Sequence, residues 1–213
     1  MAGIGILGGT FDPVHCGHLR LAMEVRDRLH LSSVRLVPAP NPRLRDTPRA
    51  DVAQRLEILE AAVDDEPGLE VDARELEREG PTYSIETLES LRREFPEEVI
   101  VFILGMDSFR RLDRWHRWRE LTDLAHLAVA ERPGDALPEE GPVAEFLASR
   151  RCDDVAALTA KPAGHVIICA PPMLDISATR IRALLAEGRS VRYLVPDKVI
   201  DVIERTRCYT HAE

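Results

Sequence analysis

At 213 residues, the chain can bury a substantial core without disulfide bonds or structural metals, and we expect a single domain over residues 1–213. Its 45% hydrophobic and 31% charged residues are typical of a globular protein. The formal net charge of −9 argues against a broad surface for DNA or RNA, because such a surface needs cations that neutralise many phosphates. A local cluster of donors for a small anion remains compatible with that charge.

The cysteines and the amino terminus indicate a protein of a reducing compartment. The sequence predicts neither a zinc site nor a disulfide framework, because Cys16, Cys152, Cys169 and Cys208 are scattered and form no CxxC pair. We therefore expect a cytoplasmic location. Residues 1–7 are apolar but lack a basic flank and are too few for a signal sequence or a membrane span, so they predict a first buried strand and no membrane association.

Taken in chain order, short apolar runs alternate with amphipathic stretches. Apolar residues recur at helical spacing over 19–29 and again over 52–63. Strands buried on both faces are predicted at 3–7, 34–37, 99–104, 127–130 and 166–170.

This alternation is typical of an α/β protein with a single doubly wound, mostly parallel sheet and helices on both faces. Ligands of such folds lie beyond the carboxyl ends of the strands. Two segments rich in proline, residues 38–48 and 132–142, are predicted to be exposed loops.

The last predicted elements are two helices. Ser177 can cap a helix that runs to about Glu187, with Gly188 as its terminator. Pro196 can open another that runs to about Thr206. We expect these carboxyl-terminal helices, at about 177–206, to pack on the rest of the domain.

The segment GGTFDPVHCGH, from Gly8 to His18, follows the first strand and leads into the first long helix. We expect Gly8 and Gly9 to let the backbone turn tightly and approach a ligand closely. The helix that begins near Gly17 directs unpaired amides and its positive dipole end at that ligand, and His15 and His18 add side-chain donors. The segment itself contains neither the GK[ST] of a Walker loop nor a GxGxxG fingerprint. The segment predicts a phosphate site suited to nucleotidyl transfer, which needs donors for the phosphates but no protein nucleophile.

The two histidines also have simpler explanations. A histidine pair in a turn can cap a helix or satisfy buried carbonyl groups. A metal site is the weaker alternative, because HxxH lacks a third protein ligand and the adjacent acid of HExxH. The glycines around the pair favour the phosphate site.

A second motif, ISATRIR at residues 176–182, places hydroxyls at a predicted helix start. Ser177 and Thr179 lie where hydroxyls and unpaired amides bind phosphate, and Arg182 can reach the same anion. The alternative is that Ser177 is only an N-cap and that the arginines form a solvated face.

These motifs carry a family resemblance. GGTFDPVHCGH resembles the GGxFDPxHxGH signature of bacterial nicotinate-mononucleotide adenylyltransferases, in the HxGH superfamily of nucleotidyltransferases, and ISATRIR resembles their ISSTxIR, with Ala178 in place of a serine. GPTYSIETL (80–88), FILGMDSF (102–109) and WHRW (115–118) resemble the family's SYT-type loop, its GxD element and its acceptor-binding loop. The resemblance extends over nearly the whole chain, and it implies a Rossmann-like nucleotidyltransferase fold.

The resemblance also implies roles for individual residues. Trp115 would stack on the pyridine ring, while backbone amides near Ser84 and His116 would receive the nicotinate carboxylate. Asp107 would lie near the adenosine ribose, with an N-cap as the alternative, and Trp118 is interpreted as a core residue. The implied ATP and phosphate site comprises Gly8, Gly9, Thr10, Phe11, Asp107, Ser177, Thr179 and Arg182, and the implied mononucleotide site comprises Asn41, Arg45, Thr82, Tyr83, Ser84, Trp115, His116 and Arg132.

One implied loop departs from the family's GNPPHK-type run. Asn41 and Pro42 match it, but Leu44 stands where the family has histidine and Arg45 where it has lysine. Arginine supplies the same charge in a different geometry.

The reaction implied is adenylyl transfer from ATP to nicotinate mononucleotide, which forms nicotinate adenine dinucleotide and pyrophosphate in NAD biosynthesis. His18 and His15 would be the catalytic histidines, and Mg²⁺ would be held by the ATP phosphates rather than by protein side chains. Nicotinamide mononucleotide or another phosphorylated acceptor, such as phosphopantetheine, is an alternative, and so is a nucleotide-binding regulator without catalysis. The oligomeric state stays open, a homo-oligomer included.

Overall fold

The computed structural model describes residues 3–40, 47–78, 80–132 and 134–209. Their strands form a six-stranded sheet in the order β3-β2-β1-β4-β5-β6, and every neighbouring pair is parallel. The predicted doubly wound fold is confirmed. The strands are β1 (Ile4–Gly9), β2 (Ser33–Pro38), β3 (Leu69–Val71), β4 (Ile100–Gly105), β5 (His126–Ala130) and β6 (Val166–Cys169).

Helices connect these strands and cover the sheet. Short 3₁₀ turns at Leu112–Arg114 and Trp118–Glu120 separate two of them. The helices are α1 (Cys16–Arg28), α2 (Val52–Val63), α3 (Ser84–Glu94), α4 (Met106–Phe109), α5 (Leu121–Leu124), α6 (Pro142–Arg150), α7 (Val155–Thr159), α8 (Ala178–Ala186) and α9 (Asp197–Thr206).

Local capping explains several of these bounds. A capping box, in which Asp51 and Gln54 each bond the other's backbone N–H, starts α2. Ser177 starts α8 by accepting a hydrogen bond from the Arg180 N–H, and Gly188, at φ +66°, follows its end. Both carboxyl-terminal helices therefore lie where the sequence predicts them.

Each face of the sheet has its own apolar core. On one face, α1, α2, α8 and α9 contribute buried residues such as Val25, Leu59 and Ile203. On the other face, α3, α4, α5 and α6 contribute residues such as Leu88 and Phe146. Helices on both faces are thus confirmed, and the described part of the chain contains no helix long and apolar enough to cross a membrane.

Strand β3 is missing from the sequence-based expectation. It has three residues, of which Leu69 is buried, Glu70 is exposed and Val71 is partly buried. A three-residue run is too short to show a buried-strand pattern by itself, and only its pairing with β2 defines it.

The strand order reverses between β1 and β4, which are neighbours in the sheet but not in sequence. The segments that follow β1 and β4 lead to opposite faces of the sheet, so a crevice opens at the carboxyl ends of these two strands. The segment that follows Gly9 and the segment that follows Gly105 border this crevice.

Candidate active site

A cavity of about 580 Å³ lies at this crevice. The segments after β1, β4 and β5 and the start of α8 supply its walls. It brings together twelve of the residues predicted from the sequence: Gly8, Gly9, Thr10, Phe11, His15, His18, Asp107, Trp115, Arg132, Ser177, Thr179 and Arg182.

The remaining predicted residues fall into two groups. Thr82, Tyr83, Ser84 and His116 are described but do not line this cavity. Asn41 and Arg45 lie outside the described residues, and their roles stay predictions.

The motif glycines act differently from the expectation. Gly8 and Gly9 do not form the turn, because they are the last residues of β1 and pair with β2. The turn comes at Phe11, whose φ is +47°. A Cβ on Gly9 would lie 2.9 Å from the Phe11 ring, whereas at Gly8 the nearest atom to a Cβ would be 3.9 Å away. Gly9 is therefore required for packing, and Gly8 leaves open space where a ligand can approach the strand closely.

The two motif histidines stack on each other. The ring centroids of His15 and His18 are 3.8 Å apart with an interplanar angle of 24°. His15 occupies the N-cap position of α1 but its side chain makes no capping hydrogen bond, so the helix-cap explanation does not account for the imidazole. A Cβ on Gly17 would lie 3.0 Å from His15 Nδ1, so the glycine between the histidines makes room for the stack.

His15 is a neutral donor rather than a cation. Burial lowers its pKa to about 4, the nearby backbone of His15 itself opposes that effect, and the charge of Arg132 lowers it further. His15 Nδ1 is buried and has no hydrogen-bond partner among the described residues. A buried polar atom without a partner at a cavity wall suits a ligand that supplies the missing bond.

The cations of the site come from distant parts of the chain. The Arg182 Nη1 donates to the backbone oxygen of Asp12 at 2.7 Å and lies 3.5 Å from Asp12 Oδ2. Its Nη2 lies 3.4 Å from the Thr179 hydroxyl, which it meets across one turn of α8. Arg132 lines the same cavity from the end of β5. Hydroxyls, guanidinium groups and imidazoles together form a donor set that fits phosphate oxygens.

A buried polar layer beneath this cavity was not predicted from the sequence. Arg55, which is 1% exposed, donates to the backbone oxygens of Thr10 and Ala39, both at 2.7 Å, and of Pro40 at 2.9 Å. Burial lowers its pKa, and the Asp12 carboxylate opposes that change. Arg55 lies three and four residues before the buried Ile58 and Leu59, on the same face of α2. This helical spacing could have indicated from the sequence that Arg55 is buried.

Trp115 gives one side of the cavity an aromatic wall. Its ring centroid lies 6.2 Å from that of Phe102, and outside the cavity lining the Tyr83 ring lies 4.6 Å from that of His116. Trp118 is 7% exposed and packs on Phe146, so its interpretation as a core residue is confirmed.

Asp107 lines the cavity from the segment after β4, whereas Glu75 does not line it. Asp107 lies in the first turn of α4, its side chain is 80% exposed, and Gly105 is the N-cap, so the N-cap alternative for Asp107 is wrong. Behind the Thr82 segment, Glu75 accepts a hydrogen bond from the Thr87 hydroxyl at 2.6 Å. Burial raises the pKa of Glu75, and hydrogen bonds from Thr87 and Thr82 oppose the rise.

The parallel sheet with its crevice at the switch point and the phosphate-directed donors define a nucleotide-binding α/β protein of the nucleotidyltransferase class. A family model described as cytidylyltransferase-like matches residues 6–184. Proteins named probable nicotinate-nucleotide adenylyltransferase are similar over nearly their full length. One from Acidithiobacillus ferrooxidans is 45% identical, and the match covers 96% of this chain and 94% of the relative. One from Halorhodospira halophila is 50% identical, and the match covers 92% of this chain and 90% of the relative. The chain therefore belongs to the nicotinate-nucleotide adenylyltransferase family, an enzyme family.

Solved structures agree on the fold. Plasmodium falciparum nicotinic acid mononucleotide adenylyltransferase complexed with NaAD superimposes with a TM-score of 0.73 at 16% identity, covering 98% of both chains. The same protein complexed with APC gives a TM-score of 0.72. The family resemblance found in the sequence is confirmed by the family model and by the relatives of 45% and 50% identity.

Proposed function

We propose that the chain transfers the adenylyl group of ATP to nicotinate mononucleotide, releasing pyrophosphate and forming nicotinate adenine dinucleotide. The observation that carries this proposal is the stacked His15 and His18 pair, which lines one cavity with Arg132 and Arg182 in a chain of this family. We propose that the whole chain, 1–213, acts as one domain.

The proposed chemistry is a direct in-line displacement. An oxygen of the mononucleotide 5′-phosphate attacks the α-phosphorus of ATP, and the bond from that phosphorus to the oxygen bridging to the β-phosphate breaks. No covalent enzyme intermediate forms. His18 donates to the α-phosphate as charge develops there, and His15, Ser177, Thr179 and Arg182 hold the departing β- and γ-phosphates.

Within the described ranges, no group of three or more histidine, cysteine or acidic side chains could hold a metal ion. The donors that line the cavity suit phosphate better than a cation, so we propose that Mg²⁺ arrives on the phosphates of ATP. When bound, it offsets their negative charge.

For the acceptor, we propose that Trp115 stacks on the pyridine ring and that backbone amides near Ser84 and His116 receive the carboxylate. A flat electron-poor ring suits an indole face, and amide donors favour a carboxylate over a neutral amide. The Tyr83 and His116 contact supports this side, because it brings the two segments that carry those amides together. Thr82, Arg132, Asn41 and Arg45 complete the proposed acceptor site, and Asp107 is proposed for the adenosine ribose.

The test is pyrophosphate release from ATP and Mg²⁺ with nicotinate mononucleotide, nicotinamide mononucleotide and phosphopantetheine in parallel. We expect a strong preference for nicotinate mononucleotide, with no release when a chelator removes the metal. Equal use of both pyridine nucleotides would show that the carboxylate is not recognised. Absence of release with every acceptor would refute the proposed reaction.

A further inference from the structure

Asp12 joins four segments that are far apart in sequence. Its Oδ1 accepts hydrogen bonds from the Ala50 N–H at 3.1 Å and from the Tyr209 hydroxyl at 2.8 Å. Its Oδ2 accepts from the Arg49 N–H at 2.9 Å and faces Arg182 Nη1 at 3.5 Å. Each carboxylate oxygen thus has one backbone donor and one side-chain neighbour.

The ends of this chain of contacts differ in burial. Asp12 is 6% exposed and Tyr209 is 2% exposed, whereas the Arg182 side chain is 21% exposed and lines the cavity. Burial and the negative charge of Asp12 raise the pKa of Tyr209. The phenol therefore stays protonated and can only donate to Asp12 Oδ1.

The geometry makes Tyr209 a means of orienting Arg182. The hydroxyl of Tyr209 holds Oδ1 together with the Ala50 N–H, and because a carboxylate is planar, this also sets the direction in which Oδ2 faces. Arg182 Nη1 is then held against Asp12 by Oδ2 and the backbone oxygen, which leaves Nη2 beside Thr179 at the cavity. A planar guanidinium anchored along one edge presents its other edge in a fixed direction.

We propose that Tyr209 is a positioning residue for the reaction, which acts through Asp12 to hold Arg182 against the departing pyrophosphate. This inference rests on the proposed function, in which Arg182 binds the β- and γ-phosphates. It assigns a role in the active site to the last described residue of the chain, beyond both signature motifs.

The test is Tyr209→Phe, which removes the hydroxyl and keeps the buried ring. We expect pyrophosphate affinity, measured by calorimetry, and kcat/KM for ATP each to fall by about three- to tenfold. The variant loses one hydrogen bond to the Asp12 carboxylate, and Arg182 loses part of its orientation as a result. The KM for the mononucleotide should change by less than about twofold, because that side of the cavity is not held by Asp12 Oδ1.

Two control variants separate positioning from stability. Tyr193→Phe makes the same chemical change at a residue that is 86% exposed, and it should match the wild type in every measurement. Thr206→Val removes a hydroxyl that donates to the Val202 oxygen within α9, and it should lower the melting temperature without changing pyrophosphate affinity. If Thr206→Val weakens pyrophosphate binding as much as Tyr209→Phe does, the effect follows stability and the proposal is overturned.

A double-mutant cycle completes the test. In an Arg182→Ala background, Tyr209→Phe should cause no further loss of pyrophosphate affinity, because the residue through which it acts is absent. An equal loss in both backgrounds would overturn the proposal, and so would wild-type affinity in the single variant. Pyrophosphate binding also separates the two hypotheses: if the wild type releases no pyrophosphate with any acceptor yet shows this binding pattern, the proposed reaction fails and the positioning role stands.

Discussion

The two sides of the cavity are built by different means. On the phosphate side, the buried Asp12 and Arg55 hold backbone segments by hydrogen bonds, and the buried His15 ring stacks on His18. On the proposed acceptor side, Trp115 is only partly buried, and His116, which lies outside the cavity lining, is exposed. A buried polar group is costly to leave unpaired. We therefore expect substitutions on the phosphate side to lower the stability of the protein strongly, and substitutions on the proposed acceptor side to change it little.

The largest effect is expected at Arg55. Replacing Arg55 by Met leaves three backbone oxygens without their donor in the interior, and we expect a loss of about 3 kcal/mol or more in the free energy of unfolding. Denaturant titration measures it. Arg117→Met on the acceptor side is the matched control: Arg117 pairs with Glu89 and Glu120 at the surface, so its loss should change stability little. Similar losses for both variants would remove the contrast between the two sides.

His18→Ala should chiefly affect the rate. We expect kcat to fall about a hundredfold or more, as for the loss of one preorganised donor at the reacting phosphate. The melting temperature should stay near that of the wild type, because His18 lies at the cavity and is only partly buried. Steady-state pyrophosphate release gives the rate, and near wild-type turnover would show that His18 has no such role.

Lowering the pH should reduce the free energy of unfolding over the range in which His15 of the unfolded chain becomes protonated. The pKa of His15 is lowered from 6.5 to about 4, so between these values the unfolded chain binds a proton that the folded chain does not. The free energy of unfolding should therefore fall as the pH falls from about 6.5 to about 4, with His15 contributing about 3 kcal/mol. His15→Gln should flatten that part of the curve. Burial also lowers the pKa of His126, but both proteins contain it, so their difference isolates His15. Identical pH curves would mean that His15 is not neutral in the folded protein.

The smallest effect is expected at Trp115. Trp115→Ala should raise the KM for nicotinate mononucleotide about tenfold through lost ring stacking, and leave the KM for ATP and the stability nearly unchanged. Trp115→Phe keeps an aromatic face and should recover most of the affinity. An equal rise in the KM for ATP and the KM for nicotinate mononucleotide would show that Trp115 maintains the shape of the whole cavity and does not bind the acceptor alone.

Some features of the site could be predicted because they are local. The motif from Gly8 to His18 carries its glycines and histidines within one strand, turn and helix, and Ser177 carries its cap within one turn of α8. Other expectations failed for reasons of geometry. Gly8 and Gly9 continue β1 because β2 pairs alongside them, and Asp107 is not an N-cap because α4 begins one residue earlier.

By itself, the sequence determined the alternation of strands and helices, hence a parallel sheet, and placed the phosphate motif at the end of the first strand. It could do so because apolar periodicity and motif spacing depend on residues that are close together in the chain. Only the tertiary structure decided that Asp12 would bind both Arg182 and Tyr209 and that Arg55 would bind Thr10 and the residues after β2. The physical reason is that such partners are 15 to 197 residues apart, and no local pattern encodes which buried donor meets which acceptor.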